Sequence, residues 1–187
     1  RRRAGGERER TAQQKMQGPT GHRHRPILRR DGLAREDCGA VHVRRATTPD
    51  ELAACLRIRR VVFIEEQGVS EADELDTLDE VCRHFLATPT ATSPPADALG
   101  TARLLFLDAD SAKAQRVAVL AEQRGKGVGA ALMFALEGEA ARAGCTSMVL
   151  ASQASAVSFY QRLGYQPYGE VFVDAGIDHL MMKKPIS

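Results

Sequence analysis

The pattern of this chain predicts a mixed α/β domain, and three observations lead there. Its 187 residues, 43% of them hydrophobic, suffice for one ordinary core. Short runs of alternating apolar residues are interleaved with runs at helical spacing. Glycine and proline separate those runs. No apolar stretch approaches the roughly 20 residues needed to cross a bilayer. The absence of Trp and an aromatic content of 5% argue against a module that stacks nucleic-acid bases.

The elements follow in order from Val41. Val41 to Arg45 alternates and reads as a strand. Thr48-Pro49-Asp50-Glu51 then offers an N-cap, a proline for the first turn and a capping-box glutamate. The helix it opens runs from about residue 49 to the mid-60s, with Leu52, Cys55, Leu56 and Arg59 near helical spacing, and stops at Gly68. The acidic stretch Glu71, Asp73, Glu74, Asp76, Asp79, Glu80 reads as a loop. It either attracts a cationic ligand or is simply solvated, and the solvated reading is favoured. Strands are expected over 82–88, 99–107 and 114–120, separated by the Pro-rich loop 89–97 and a turn at 108–111. A helix over 127–143 carries the stripe Val128, Leu132, Leu136, and Gly144 can take the left-handed position after it. A short strand over 146–150 precedes a second helix over 154–163, and 171–173 and 179–182 complete the strands. The order is β α β β β α β α β β.

Charge divides the chain. Residues 1–40 carry a net +6, whereas 41–187 carry −4. The first 40 residues have almost no periodic apolar face, so they read as a disordered basic tail ahead of a domain over 41–187. A targeting segment would be Arg-rich, as this tail is, but the tail contains no Ser. A solvated tail without catalytic role is the favoured reading. The chain would then be cytoplasmic, or organellar if the tail is a transit segment. The cysteines at 38, 55, 82 and 145 are too widely spaced for a zinc motif and read as reduced thiols, so no metal is expected.

The chemistry concentrates in Val117-Ala118-Val119-Leu120-Ala121-Glu122-Gln123-Arg124-Gly125-Lys126-Gly127-Val128-Gly129-Ala130, a strand, a glycine-rich loop and a helix start. Unpaired N–H groups and the positive dipole end of a helix form a pyrophosphate cradle. Glycine lets the backbone approach a phosphate closely, and Arg124 and Lys126 add positive charge. A P-loop pattern is absent. A dinucleotide site would need a carboxylate at the end of the next strand, which instead reads Leu150-Ala151-Ser152-Gln153. That leaves the pyrophosphate of coenzyme A, or a glycine turn that only packs a helix on a strand.

Arg124-Gly125-Lys126-Gly127-Val128-Gly129 resembles the R/Q-x-x-G-x-G/A motif of the GNAT N-acetyltransferases. Ala156-Val157-Ser158-Phe159-Tyr160-Gln161-Arg162-Leu163-Gly164-Tyr165 resembles their A-x-x-F-Y-x-x-x-G-F/Y helix. Val62 to Val69, Gly100 to Arg103, Arg116 to Val119 and Gly176 to His179 look like the ElaA/YjcF-like branch. The resemblance covers roughly 41–185. It implies a mostly antiparallel central sheet of six to seven strands flanked by about four helices and splayed at an acetyl-CoA cleft.

The same resemblance implies acetyl-CoA as co-substrate and an amine, of a small molecule or a protein, that attacks the thioester directly in a ternary complex. Val117, Ala118 and Val119 would bind pantetheine, with the Val119 N–H polarising the thioester carbonyl. Arg124 to Ala130 would hold the pyrophosphate, and Gln153, Ala156, Phe159 and Tyr160 would complete the cofactor contacts. Tyr160 would act as the general acid. Many family members carry a carboxylate on the strand before the cofactor motif, but here that stretch is Lys113-Ala114-Gln115-Arg116. Glu65, Glu66, His84 and His179 are the candidate bases, with Glu66 and His84 placed first. The alternative reading is a non-catalytic acyl-CoA-binding module. Neither a membrane nor nucleic acid is expected as partner, and both a monomer and a homodimer are admitted.

Overall fold

A computed structural model of the chain describes residues 41–187, so the expectations for the tail lie outside the described residues. Seven strands form one sheet in the order β1-β2-β3-β4-β5-β7-β6. They are β1 (His42–Arg45), β2 (Arg83–Thr88), β3 (Gly100–Phe106), β4 (Ser111–Val119), β5 (Ser147–Gln153), β6 (Gln166–Asp174) and β7 (Ile177–Pro185). Every neighbouring pair is antiparallel except β4 with β5. The helices are α1 (Pro49–Arg59), α2 (Glu71–Glu74), α3 (Val128–Arg142) and α4 (Val157–Arg162). The open, mostly antiparallel sheet with four helices is the architecture the sequence predicts.

The sheet is covered on both faces. Successive side chains of a strand point to opposite faces, and β2 uses this fully. Phe85 and Ala87 join the core under α3, with Leu104, Leu132, Met133, Leu136 and Met148. Leu86 between them joins the core under α1, with Ala54, Cys55, Ile58 and Ala118. A strand buried on both faces reads as a continuous apolar run, which is why 85–87 shows no polar alternation.

Two boundaries and the form of one helix differ from expectation. β4 starts at Ser111, because the turn before it is closed tightly by Asp108, which accepts from the Asp110 N–H (2.9 Å) and the Ser111 hydroxyl (2.8 Å). The final hairpin is much longer than the two short apolar runs suggest. All nine residues of β6 are exposed, so no apolar alternation marks them, and cross-strand pairing alone defines the strand. α1 continues as a π-helical turn over Arg60–Glu66, a form found most often near functional sites.

The acidic stretch is the clearest correction. Glu71, Asp73 and Glu80 are exposed, but the stretch is not simply a solvated loop. Ser70 caps α2, a 3₁₀ turn follows at Thr77–Glu80, and Glu74, Asp76 and Asp79 turn inward onto Arg59, Arg103 and Arg116. The partner arginines lie on α1, β3 and β4, so residues near the stretch in sequence do not reveal them.

The start of α1 is set by the predicted capping box. Thr48 accepts from the Glu51 N–H (3.3 Å), and the Glu51 carboxylate accepts from the N–H groups of Thr47 (2.9 Å) and Thr48 (3.3 Å) and from Arg44 Nε (2.7 Å). The Thr47 N–H, followed by Arg44, holds the Glu51 carboxyl down to about 2, against an ordinary 4.5. A carboxyl lowered by folding stabilises above its unfolded value, and that contribution is lost as pH falls through the folded value. Glu51→Ala should therefore destabilise the protein by about 1 kcal/mol at pH 7. In urea unfolding from pH 7 to pH 2, the gap between the two proteins should close below about 4.5. A gap that stays constant with pH would contradict this account.

Candidate active site

β4 and β5 pair only over Ser111–Ala114 and Ser147–Leu150. Beyond that, β4 stays with β3 (Thr101↔Ala118, Gly100↔Val119) and β5 stays with β7 (Ala151↔Met181, Gln153↔His179). Between the parted ends lies a cavity of about 280 Å³. Its lining includes Gln67 and Glu74, from the segment after α1 and from α2, together with Gln153, Tyr160 and His179.

The parting has a local cause. Ala102 of β3 faces two residues of β4, Arg116 and Val117, so β4 carries a bulge there. Arg116 takes φ +51°, a left-handed conformation that costs a residue with a side chain about 1–2 kcal/mol. Such a bulge bends its strand and raises the local twist.

The backbone past the bulge is turned toward the opening. Leu120 donates its N–H to Leu99 on the β3 side (3.1 Å). N–H and C=O groups of a strand alternate between its two sides, so those of Val119 face away from β3. The Val119 carbonyl accepts from Arg124 Nε (3.1 Å), not from β3, in agreement with that orientation.

The glycine loop ends at the helix start the sequence predicts. Gly127 is the N-cap of α3 at φ +86°. Ala131 closes the first helical bond onto Gly127 (3.0 Å), so the N–H groups of Val128, Gly129 and Ala130 precede it. The Arg124 N–H is committed to Ala121 (3.3 Å), so the run of amides open to a phosphate begins after it. A Cβ added at Gly129 would lie 3.2 Å from Phe159. Phe159 therefore packs against the helix start and meets Tyr160 edge-on, with ring centroids 4.8 Å apart.

The sequence-predicted catalytic residues separate into two groups. Tyr160 and His179 both line the cavity. Tyr160 is 8% exposed, and burial pushes its phenol well above the ordinary range, so it keeps its proton. His179 Nδ1 lies 2.8 Å from the Ile177 carbonyl. A carbonyl only accepts, so Nδ1 carries a hydrogen, and in the neutral ring the lone pair lies on Nε2. Phe172 stacks on the ring at 5.8 Å.

Glu66 and His84 are held away from that pair. Glu66 sits on the Arg124 fork through both oxygens, at 2.6 Å each. That bond, ahead of any other influence, lowers the Glu66 carboxyl, which makes it a poor proton acceptor. His84 is buried under the 3₁₀ turn, with Nε2 3.0 Å from the Asp79 carbonyl, and does not line the cavity. Burial lowers its pKa. Glu65 is exposed and also outside the lining.

Several lining residues carried no signal in the sequence. Gln67 accepts from Gln153 Nε2 (2.8 Å), bridging the end of α1 to the end of β5. Asp174 and Ala175 arrive through the β6–β7 turn, where Ala175 (φ +48°) and Gly176 (φ +76°) form a two-residue connection. The dipeptide Ala-Gly is a weaker turn signal than Asn-Gly, and it gives no hint that the turn borders a cavity. Among the described residues, no cluster of three or more His, Cys, Asp or Glu side chains stands ready for a metal, and no helix is long and apolar enough to cross a membrane.

Residues 99–186 match the profile of an acetyltransferase (GNAT) domain. The uncharacterized protein YyaT of Bacillus subtilis (strain 168) is 40% identical over 154 residues, which cover 79% of this chain and 97% of YyaT. The uncharacterized N-acetyltransferase YjcF of the same organism is 35% identical over 140 residues, covering 74% and 96%. Among solved structures, Escherichia coli ElaA superposes with a TM-score of 0.66 at 25% identity, covering 78% of this chain and 99% of ElaA.

The Glu66–Arg124 pair generates a direct test. Both side chains are substantially exposed, at 39% and 44%, so solvent screens the pair. Glu66→Gln should release the fork toward an anion at the α3 N-terminus and tighten acetyl-CoA binding about two- to fivefold at low salt. Isothermal titration at rising ionic strength should show the advantage fading. An affinity unchanged at low salt would mean that Arg124 does not reach the bound anion.

Proposed function

The chain belongs to the GNAT acetyltransferase family, and from that premise we propose that it moves the acetyl group of acetyl-CoA directly onto an amine held in the cleft. The observation that carries this reading is the continuity of two backbone features. The Val119 amide faces the opening where β4 leaves β5, and the glycine-capped start of α3 follows within the same segment. A thioester arm and a pyrophosphate need that pair of sites in that order.

The chain's own groups divide the work. The N–H groups of Val128, Gly129 and Ala130, with the positive end of α3, would bind the pyrophosphate. Lys126 adds charge beside them, and Arg124 would do so once shared between Glu66 and the anion. The Val119 N–H would bind the carbonyl oxygen as negative charge grows on it. Acetyl-CoA supplies the activated acetyl group as a thioester. The reaction makes a carbon–nitrogen bond at the amine and breaks the carbon–sulfur bond.

Two protons have to be managed. A primary amine with a pKa near 10 is mostly protonated at neutral pH, so it must lose a proton before attack. His179 is the base we favour, because the Ile177 carbonyl occupies Nδ1, which leaves Nε2 as the nitrogen for proton transfer, and the ring lines the cleft. Glu74 also lines it, but its two carboxylate oxygens are engaged by Arg59 and Arg116. Tyr160 stands ready with its proton for the leaving sulfur. A thiol is more acidic than a phenol, so Tyr160 acts by hydrogen bonding to the developing thiolate rather than by full transfer ahead of it.

Isothermal titration should find micromolar binding of acetyl-CoA to the full chain. Gly127→Glu, which forces a side chain onto a left-handed position and adds negative charge in the cradle, should weaken binding at least about tenfold. Lys126→Glu, which leaves the glycine backbone alone, should weaken it in the same direction. No binding by the folded protein would overturn the reading.

A thiol-release assay over a panel of amines tests the chemistry. Tyr160→Phe and His179→Gln should each lower kcat by about 100-fold while leaving the KM for acetyl-CoA within a factor of about three. Full activity in the His179→Gln enzyme would remove His179 as the base.

A further inference from the structure

We propose that Arg116 is a positioning residue for acetyl transfer: gripped by Glu74 and Asp76, it holds the β4 bulge and so aims the Val117–Val119 backbone into the cleft. The inference rests on the acetyl-transfer reading for its purpose, but not for its geometry.

The position is an odd one for arginine. Left-handed bulge residues are ordinarily glycine, which adopts that conformation without steric cost. Arg116 accepts the cost at φ +51°, and its side chain accounts for the choice. Its Nε lies 2.7 Å from Glu74 Oε2. One terminal nitrogen donates to the backbone carbonyls of Asp73 (2.9 Å) and Glu74 (3.1 Å) and meets Asp76 Oδ2 at 3.3 Å. The guanidinium thus ties the bulge to both the side chains and the main chain of the acidic segment.

That segment is itself anchored from two other elements. Arg59 of α1 binds Glu74 and holds Asp79 with both terminal nitrogens (2.6 and 3.1 Å). Arg103 of β3 takes Asp76 in a fork (2.7 and 2.9 Å) and also reaches Asp79 (2.6 Å). Arg59, Arg103 and Glu74 are at most 2% exposed. Buried ionic clusters are weak evidence for stability, because desolvation offsets much of their attraction. Their planar, two-pronged contacts do fix geometry.

The geometry fixed is the one the reaction needs. Arg116 is followed at once by Val117–Val119, the strand that would carry the thioester. Asp73 and Glu74, which Arg116 grips, also line the cleft, where the amine would sit. The network therefore ties the donor strand to a segment that lines the cleft. Misplacement by about 1 Å can cost on the order of 100-fold in rate.

Arg116→Gly tests this directly, since glycine suits the bulge conformation while the grip is removed. Hydrogen exchange followed by mass spectrometry should show faster exchange confined to residues 117–120. Acetyl-CoA affinity should fall about tenfold, while the affinity for ADP, which carries a pyrophosphate without the pantetheine arm, should stay within about twofold. Arg60→Ala, which breaks only the exposed pair with Glu71, should change none of these. A folded Arg116→Gly protein with wild-type exchange at 117–120 and wild-type acetyl-CoA affinity would overturn the proposal. If the wild type binds no acetyl-CoA, the acetyl-transfer reading fails, and the exchange measurement still decides whether Arg116 holds the strand. Should Arg116→Gly not fold, Arg116→Lys, which keeps the charge but loses the fork, takes its place with the same expected pattern. Loss of folding in both would assign the network to folding alone and overturn the proposal.

Discussion

Two parallel strands that pair over four residues and then separate set the terms for everything else in this molecule. Parallel neighbours in a sheet normally run their hydrogen bonds to the end, because an unpaired N–H or C=O facing the interior is costly. Here the bulge in β4 turns Val119 into the gap with no strand to receive it. The cleft is thus a place where the sheet leaves its own backbone groups available to another molecule.

The elements around the gap are arranged to keep it open. α1 and α3 clamp β4 from opposite faces, through Ala118 on one side and Val119 with Val128 on the other. The β6–β7 hairpin draws β5 away by pairing along its whole length, from Ser147 with Pro185 to Gln153 with His179. That same pairing carries His179 to the mouth of the cleft, close to Gln153 and across from Gln67. The geometry of the cleft and the topology of the sheet are therefore one feature. His179 occupies its place because β7 inserts between β5 and β6.

Charge serves the same end. The chain invests three arginines and three carboxylates in one largely buried network. A hydrophobic cluster of equal volume would give comparable stability, but it would not fix the angle of a strand. By contrast, the Glu66–Arg124 pair is exposed, so solvent screens it and it is easily exchanged.

Much of this was legible in the residues themselves. The Thr48–Glu51 box, the Gly127 start and Gly144 end of α3, and the short apolar runs within 83–88 and 100–106 are local features, determined by capping, backbone conformation and composition within a few residues. The two motifs at 124–129 and 156–165 marked the start of α3 and the helix that carries Tyr160, because a helix start and a helical face are also local. His84 and Glu66 were placed among the candidate bases because residue type is all that a sequence offers for a titrating group. Tertiary structure alone buried His84 beneath Asp79 and set Glu66 on Arg124. It alone turned the acidic stretch inward onto arginines 15 to 42 residues away in sequence. The physical reason is range. Backbone preference acts over a few residues and is written in them, whereas the protonation, partners and aim of a side chain depend on what the folded sheet brings beside it.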